Sequence, residues 1–201
     1  MKIDKRETIM AAAKPLFATR GLDGVTTRDI AKAGGFHLGS LHHFYPQKTQ
    51  LYEAVVTSAF AATTAKLIVT LGAAGTAEER FRRFVEAHLS HFASGNDDAR
   101  LIDREYLDRA GRTLPDDMML RLFTDMHGAL HPVIASIAPP SRTRDDIARA
   151  TAMIFSLLFG AAKLNPLHHQ MLGERGSWPD PDFVDNLCSF GLAAIASEPR
   201  N

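Results

Sequence analysis

VTTRDIAKAGGFHLGSLHHFYPQK, running from Val25 to Lys48, is the stretch whose reading decides the fold. Thr26 can accept from the backbone N–H three residues on while Asp29 reaches back, a capping box that opens a helix. That helix carries Ile30 and Ala31 inward and ends at Gly34-Gly35. About three residues later a second short helix begins near Leu38 and runs to Phe44 or Tyr45, where Pro46 breaks it. Two short helices joined by a tight Gly turn, after a longer helix, make up a helix-turn-helix. The first of the pair crosses the DNA backbone and the second enters the major groove. Gly34 and Gly35 supply permissive backbone at the turn, and Phe36 is expected beneath it, packed toward Ile30 and Leu41.

Outward from this stretch, helical periodicity dominates and no alternating strand is evident. A helix over Asp4 to Arg20 places Ile9, Ala12, Ala13, Leu16 and Phe17 on one face, with Gly21 where a C-terminal cap belongs. Pro15 within it predicts a kink or an early 3₁₀ ending. A long helix from about Gln47 spaces Leu51, Tyr52, Val55, Val56 and Ala59 for burial. Five more are expected over 77–94, 97–110, 115–138, 143–167 and 180–197, with a surface loop from Gly173 to Pro181. The chain reads as all-α, with a helix-turn-helix DNA-binding domain over 1–48 and an effector-binding and dimerisation bundle over 49–201.

Composition narrows the function classes. With 201 residues, 45% hydrophobic and 23% charged, the chain can bury a sizeable core without staples. Its single cysteine, Cys188, rules out an internal disulfide and suits a reducing compartment, so a cytoplasmic location is expected. The most apolar run, Thr151 to Ala162, falls short of the ~20 residues of a spanning helix, so no membrane partner is expected. Net charge is zero, but residues 1–48 hold eight Lys/Arg against four acids, and the rest carries the compensating excess of acid. A basic head on an acidic body points to an anionic partner for the head alone.

The candidate DNA contacts follow from the motif. Thr26, Thr27 and Arg28 open a helix N-terminus, where unpaired N–H groups and the helix dipole favour a phosphate. His37, Leu38, Gly39, Ser40, His42 and His43 line the exposed side of the recognition helix. Lys48 can reach the flanking phosphate as a point charge. Arg6, Ile9, Ala12, Leu16-Phe17, Gly21, the whole of Val25 to Lys48 and Leu51 together resemble the tetracycline-repressor-like (TetR) regulators, over about the first quarter of the chain. The resemblance implies a three-helix DNA-binding head and a divergent helical body that dimerises and often binds a small effector. It implies that 37–43 read the groove and that Thr26, Arg28 and Lys48 help hold the backbone. His42 stands where the family usually has a phosphate-donating Tyr, and Leu38 replaces a common Lys. Fewer fixed charges imply a shallower salt dependence.

In the body, Phe81, Phe84, Val85, His88, Leu89 and Phe92 form one helical stripe, and Met119, Leu122, Phe123, Met126, Leu130, Val133 and Ile134 another. Plain core packing explains such stripes, and so does a cavity with soft Met and aromatic walls. Phe84, His88, Phe92, Tyr106, Met119, Phe123, Met126, His127 and Phe155 are the candidate walls for a small, largely apolar effector. The last two helices are apolar around most of their circumference, which calls for a second copy across a two-fold axis or for burial within one chain. Ile147, Thr151, Ile154, Phe155, Leu158, Phe183, Leu187, Phe190 and Ile195 are the candidate dimer contacts. The pairs His88/His91 and His127/His131 could each face one metal, but no Cys or acidic partner accompanies them. No cofactor motif, nucleophile–base pair or phosphate loop stands out, so neither an enzyme nor a cofactor is expected. The reading that results is a repressor that binds a palindromic operator as a homodimer and is released by an effector.

Overall fold

The structure is a computed structural model that describes residues 4–107, 114–171 and 179–197. Among them every regular element is a helix, as the periodicity implies: α1 Lys5–Arg20, α2 Thr27–Gly34, α3 Leu38–Phe44, α4 Lys48–Gly72, α5 Ala77–Ala93, α6 Asp97–Leu107, α7 Asp116–Ile137, α8 Arg144–Met171 and α9 Pro181–Ala196. The loop expected from Gly173 to Pro181 lies mostly outside the described residues.

The caps explain most of the boundaries. Asp4 accepts from the Arg6 N–H at the start of α1, and Gly21, at φ +70°, closes its end. Pro15 does not end α1 early: the helix runs on to Arg20. Losing the N–H of one residue removes a single ladder bond, and the burial of Ile9, Ala13 and Phe17 on the same face holds the remaining turns together. Capping boxes open α2 at Thr26 and α5 at Thr76.

The chain divides into two compact units. The first comprises residues up to Thr63 together with Gly95–Leu122. Its core gathers Phe17, Ile30, Leu41, Leu51, Tyr52, Val55, Val56 and Leu101, all fully buried. Helix α6 is tied to α1 by an ion pair, Lys14 Nζ to Asp98 Oδ1 at 2.6 Å, and by the Arg104 guanidinium lying against Gly21.

The second unit comprises Thr64–Ser94 and the chain from Phe123 onward. Phe81, Phe84, Val85 and Leu89 of α5 bury with Leu130, Ile134, Ile154, Leu158, Val184 and Ile195. Phe81 packs so closely on Gly191 that a Cβ there would touch its ring at 3.1 Å. Arg82 pairs with Asp185. The Arg142 guanidinium donates to the Ser197 and Ala194 carbonyls, at 2.5 and 3.2 Å, and so satisfies the open end of α9.

Among the described residues two helices, α4 and Arg144–Leu164 of α8, are long and apolar enough to cross a membrane by length and composition. Counting only uninterrupted apolar runs misses them, because Ala, Thr and Ser fill the gaps. In α4 Leu51, Tyr52, Val55, Val56, Ala59 and Phe60 are core. On α8 a smaller share of the apolar stretch is buried, 28% against 44%.

Candidate nucleic-acid interface and body clusters

The head is built around the α2–α3 turn. Gly35 sits in the left-handed region at φ +65°, where a side chain is strained. Gly34 is needed for a different reason: a Cβ there would fall within the Phe36 ring. The aromatic that closes the turn thus takes the volume that Gly34 leaves empty.

Helix α3 has seven residues, too short to persist alone. It is pinned from below by Leu41 and Tyr45, both buried. At its far end the Arg6 guanidinium of α1 lies 5.8 Å from the Phe44 ring centre and 5.5 Å from that of Tyr45, a cation–π clamp. With the lower side fixed, His37, Gly39, His42 and His43 face solvent, while Leu38 and Ser40 are half-buried. The His43 ring stands edge-on to Phe44 at 5.0 Å.

The flanking contacts are more committed than their sequence suggests. The Thr26 hydroxyl donates to Asp29 Oδ2 at 2.8 Å and accepts from the Asp29 N–H at 3.1 Å, and the Thr26 N–H donates to the same carboxylate at 3.0 Å. These bonds from Thr26 hold the Asp29 carboxyl below the usual range. Thr26 is therefore a cap, and Thr27 and the exposed Arg28 occupy the open first turn of α2. Lys48 Nζ donates to the carbonyls of Leu22 and Val25, at 2.7 and 2.9 Å. Two of its three donors thus lash the start of α4 to the α1–α2 loop, a role its charge alone does not reveal.

In the second unit a cluster of rings gathers part of the expected effector walls. Phe84 and Phe155 meet edge-on at 5.9 Å, His127 stacks on Phe155 at 4.4 Å, and His88 lies 4.8 Å from Phe92. Phe159, absent from the sequence expectation, joins Phe92 at 5.4 Å, and the Lys163 ammonium covers both rings at 5.2 and 5.9 Å. Met126 is buried and Phe123 half-buried on α7. Tyr106 and Met119 belong to the first unit. His88 is buried with neither ring nitrogen hydrogen-bonded. Burial drives its pKa down to about 3, with the charges of His91 and Lys163 adding to the effect, so the imidazole is neutral. Among the described residues no three His, Cys, Asp or Glu converge on a metal position.

Of the expected dimer contacts, Thr151, Ile154, Phe155, Leu158, Leu187 and Ile195 are buried in the chain's own core, with Ile154 and Ile195 lining one outer groove and Leu187 another. A helix packed on one side buries the stripe facing its neighbours, and these six are that stripe. Ile147 and Phe183 are half-buried. The outer surface of α8 and α9 is carried by Phe190, one of the expected contacts and 64% exposed, together with Met153, 70% exposed, and Leu164. Phe190 separates two grooves of about 710 and 520 Å³, the smaller floored by Gly160 and Ala161.

Comparison with known proteins matches this geometry at the head. Residues 9–55 match the family of bacterial regulatory proteins described as the tetR family. The HTH-type transcriptional repressor KstR2 of Mycolicibacterium smegmatis is 40% identical over 52 residues, which are 26% of this chain and 25% of that protein. The match thus spans about a quarter of that repressor's length. The whole fold is similar to that of the fatty acid degradation regulator FadR from Bacillus halodurans, with TM-score 0.69 at 16% identity over 96% of each chain. It is also similar to a bacterial regulatory protein in the tetR family from Rhodococcus RHA1, with TM-score 0.65 at 18% identity over 98% of this chain and 99% of that one.

Proposed function

We propose that the chain, whose residues 9–55 match the tetR family of bacterial regulatory proteins, is a transcriptional repressor. The observation that carries this is the solvent-facing edge of α3, with His37, Gly39, His42 and His43 presented on a helix fixed from beneath by Leu41, Tyr45 and Arg6. Residues 1–48 form the DNA-binding domain in this reading, with Leu38 and Ser40 at the edge of the groove contact. Thr27 and Arg28 hold one backbone strand, and Lys48 adds its remaining N–H, while Thr26 acts by shaping the helix start.

Residues 49–201 serve dimerisation and effector binding. Two copies join through the outer face of α8 and α9, with Phe190 of each seated in a groove of the other, and present two recognition helices ~34–36 Å apart to a palindromic operator. A small, largely apolar effector releases the DNA by binding one of two body conformations better than the other. The protein works in the cytoplasm, without a membrane partner, a cofactor or catalytic turnover.

The test is binding of the purified protein to the DNA upstream of its own coding region, against random DNA of equal length, across a range of salt concentrations. A preference that survives rising salt supports the reading. Equal affinity for both DNAs at every salt concentration ends it.

A further inference from the structure

The ring cluster of α5, α7 and α8 has a chemistry that narrows what the body can bind. Its walls are aromatic faces, with Phe155 stacked on His127 at 4.4 Å and Phe92 against His88 at 4.8 Å. Flat π-surfaces at these spacings favour another flat, polarisable body by offset or edge contact. Inside the cluster, His88 presents two ring nitrogens, both buried and both without a hydrogen-bond partner. Buried polar atoms are nearly always paired, so two orphans on one ring mark a position that a further molecule completes. A neutral imidazole offers one N–H donor and one acceptor nitrogen there.

The charges felt at the two histidines of the cluster are those of other basic side chains. The groups whose charge is felt at His88 are His91 and Lys163, both cationic when protonated. The Lys163 ammonium stands over Phe92 and Phe159 at 5.2 and 5.9 Å, at a half-exposed position. At His127 the charge felt is that of His131, again a histidine. An ammonium at the edge of an aromatic interior disfavours a cationic ligand and favours an anion, and the low local dielectric strengthens that preference.

We propose that this cluster takes a flat, apolar organic acid, its carboxylate accepting from the His88 N–H and facing the Lys163 ammonium, its body lying among Phe84, Phe92 and Phe155. This rests on the reading of the body as an effector domain and gives that effector a class. Because the rings are already in contact, the ligand enters by parting them at the Lys163 edge, and the orphaned nitrogens gain partners only when it does.

Titration calorimetry on the full chain tests the class with three probes that share one body: 2-naphthoate, 2-naphthylmethanol and 2-naphthylmethylammonium. Naphthoate is expected to bind once per chain, at least about tenfold more tightly than the alcohol or the amine, since a hydrogen bond to a charged group is stronger than one between neutral groups. His88→Leu should weaken it by about tenfold or more, whereas His88→Gln, which keeps a donor, retains most of the affinity. Lys163→Met leaves the interior untouched and should erase the preference for the acid over the alcohol. Chemical-shift changes at the His88 ring carbons on adding naphthoate would place the ligand. Tighter binding of the alcohol or amine, unchanged affinity in His88→Leu and Lys163→Met, or no binding of any probe overturns the proposal. If the alcohol binds and loosens the protein from DNA while the acid does neither, the effector reading stands and the acid class falls.

Discussion

The Tyr52 hydroxyl donates to Glu105 Oε1 at 2.7 Å, joining α4 to α6 where both groups are shut from solvent. The second carboxylate oxygen accepts from the Leu114 N–H at 2.9 Å. A buried carboxylate is costly unless its oxygens are satisfied, and these two bonds contribute to holding Glu105 in the core. Burial raises the Tyr52 pKa, and the hydrogen bond and charge of Glu105 raise it further, so the phenol keeps its proton and remains a donor. The same ring meets Phe17 edge-on at 5.1 Å. Tyr52→Phe keeps that packing and removes only the donor. It should cost about 1.5–3 kcal/mol, the range for hydrogen bonds to charged groups, read as a lower urea midpoint at unchanged slope. An unchanged midpoint would mean that Glu105 is satisfied without Tyr52.

Gly34→Ala tests the turn. The added methyl has to displace the Phe36 ring, and overpacking of this kind costs ~1–3 kcal/mol. Gly35→Ala meets open space but forces a side chain into the left-handed region, at ~1–2 kcal/mol. Adding Phe36→Leu to each variant should recover part of the Gly34→Ala loss and none of the Gly35→Ala loss, measured by chemical denaturation. Equal rescue of both would show that a single strain underlies the two positions.

The contrast between these glycines also shows how far a sequence can be read. Caps, turns and periodicity are local, so the Thr26–Asp29 box, the Gly21 cap and all the helices were legible from residues within a few positions of each other. The roles of Arg6, Lys48 and Glu105 depend on partners 20 or more positions away and leave no local signal. Which side of α8 and α9 turns inward was hidden for a related reason. A helix that is apolar all round does not state which side its own chain covers, so Ile154 and Leu158 looked as available as Met153 and Phe190. His88 stood out as a polar residue in an apolar stripe, but its missing partners are a fact of three dimensions.

Acid should destabilise the body before carboxylates begin to titrate. A histidine titrates near 6.5 in the unfolded chain, whereas folding lowers His88 to about 3 by burial and lowers His127 in the same direction. Between those values the unfolded chain binds protons that the folded one refuses, so stability is complete above about pH 6.5 and is lost as pH falls. Asp146, held down to about 2 by hydrogen bonds from Thr143 and Arg149, contributes in the same direction, but only as pH falls below the ordinary carboxylate range. Melting midpoints from pH 7.5 to 4.5 should therefore decline, by about 2–4 °C for each kcal/mol lost. His88→Leu should flatten the decline. An equally steep decline in that variant would remove His88 as its cause.

Arg28 and Lys48 should separate when DNA binding is measured against salt. Arg28 is exposed on the first turn of α2, and each phosphate it neutralises adds ~0.9 to the slope of log affinity on log salt. Arg28→Ala should lower that slope by about this amount and leave the melting midpoint nearly unchanged. Lys48→Met removes the ties to Leu22 and Val25, so its main effect should be on stability, about 1–3 kcal/mol for two charge-assisted bonds to carbonyls. A Lys48→Met protein as stable as the parent, with a salt slope reduced as much as in Arg28→Ala, would make Lys48 a phosphate contact first.

Phe190 decides whether two copies meet as proposed. Its ring is 64% exposed between two grooves, and an aromatic set into a partner's pocket is the type of residue that dominates an interface. Phe190→Glu places a charge there that would be buried twice in a two-fold pair, once from each copy. Because the side chain contributes little to its own chain's core, the monomer should fold normally. Sedimentation at micromolar concentration should find the parent at twice the mass of one chain and the variant at the mass of a single chain. Operator affinity should then collapse, because one head alone forfeits the second half-site. Phe155→Glu makes a poor substitute, since it buries a charge within a single chain and would unfold it. If Phe190→Glu sediments as the parent does, the copies meet elsewhere, and the outer face of α8 and α9 is not the surface that sets the spacing of the recognition helices.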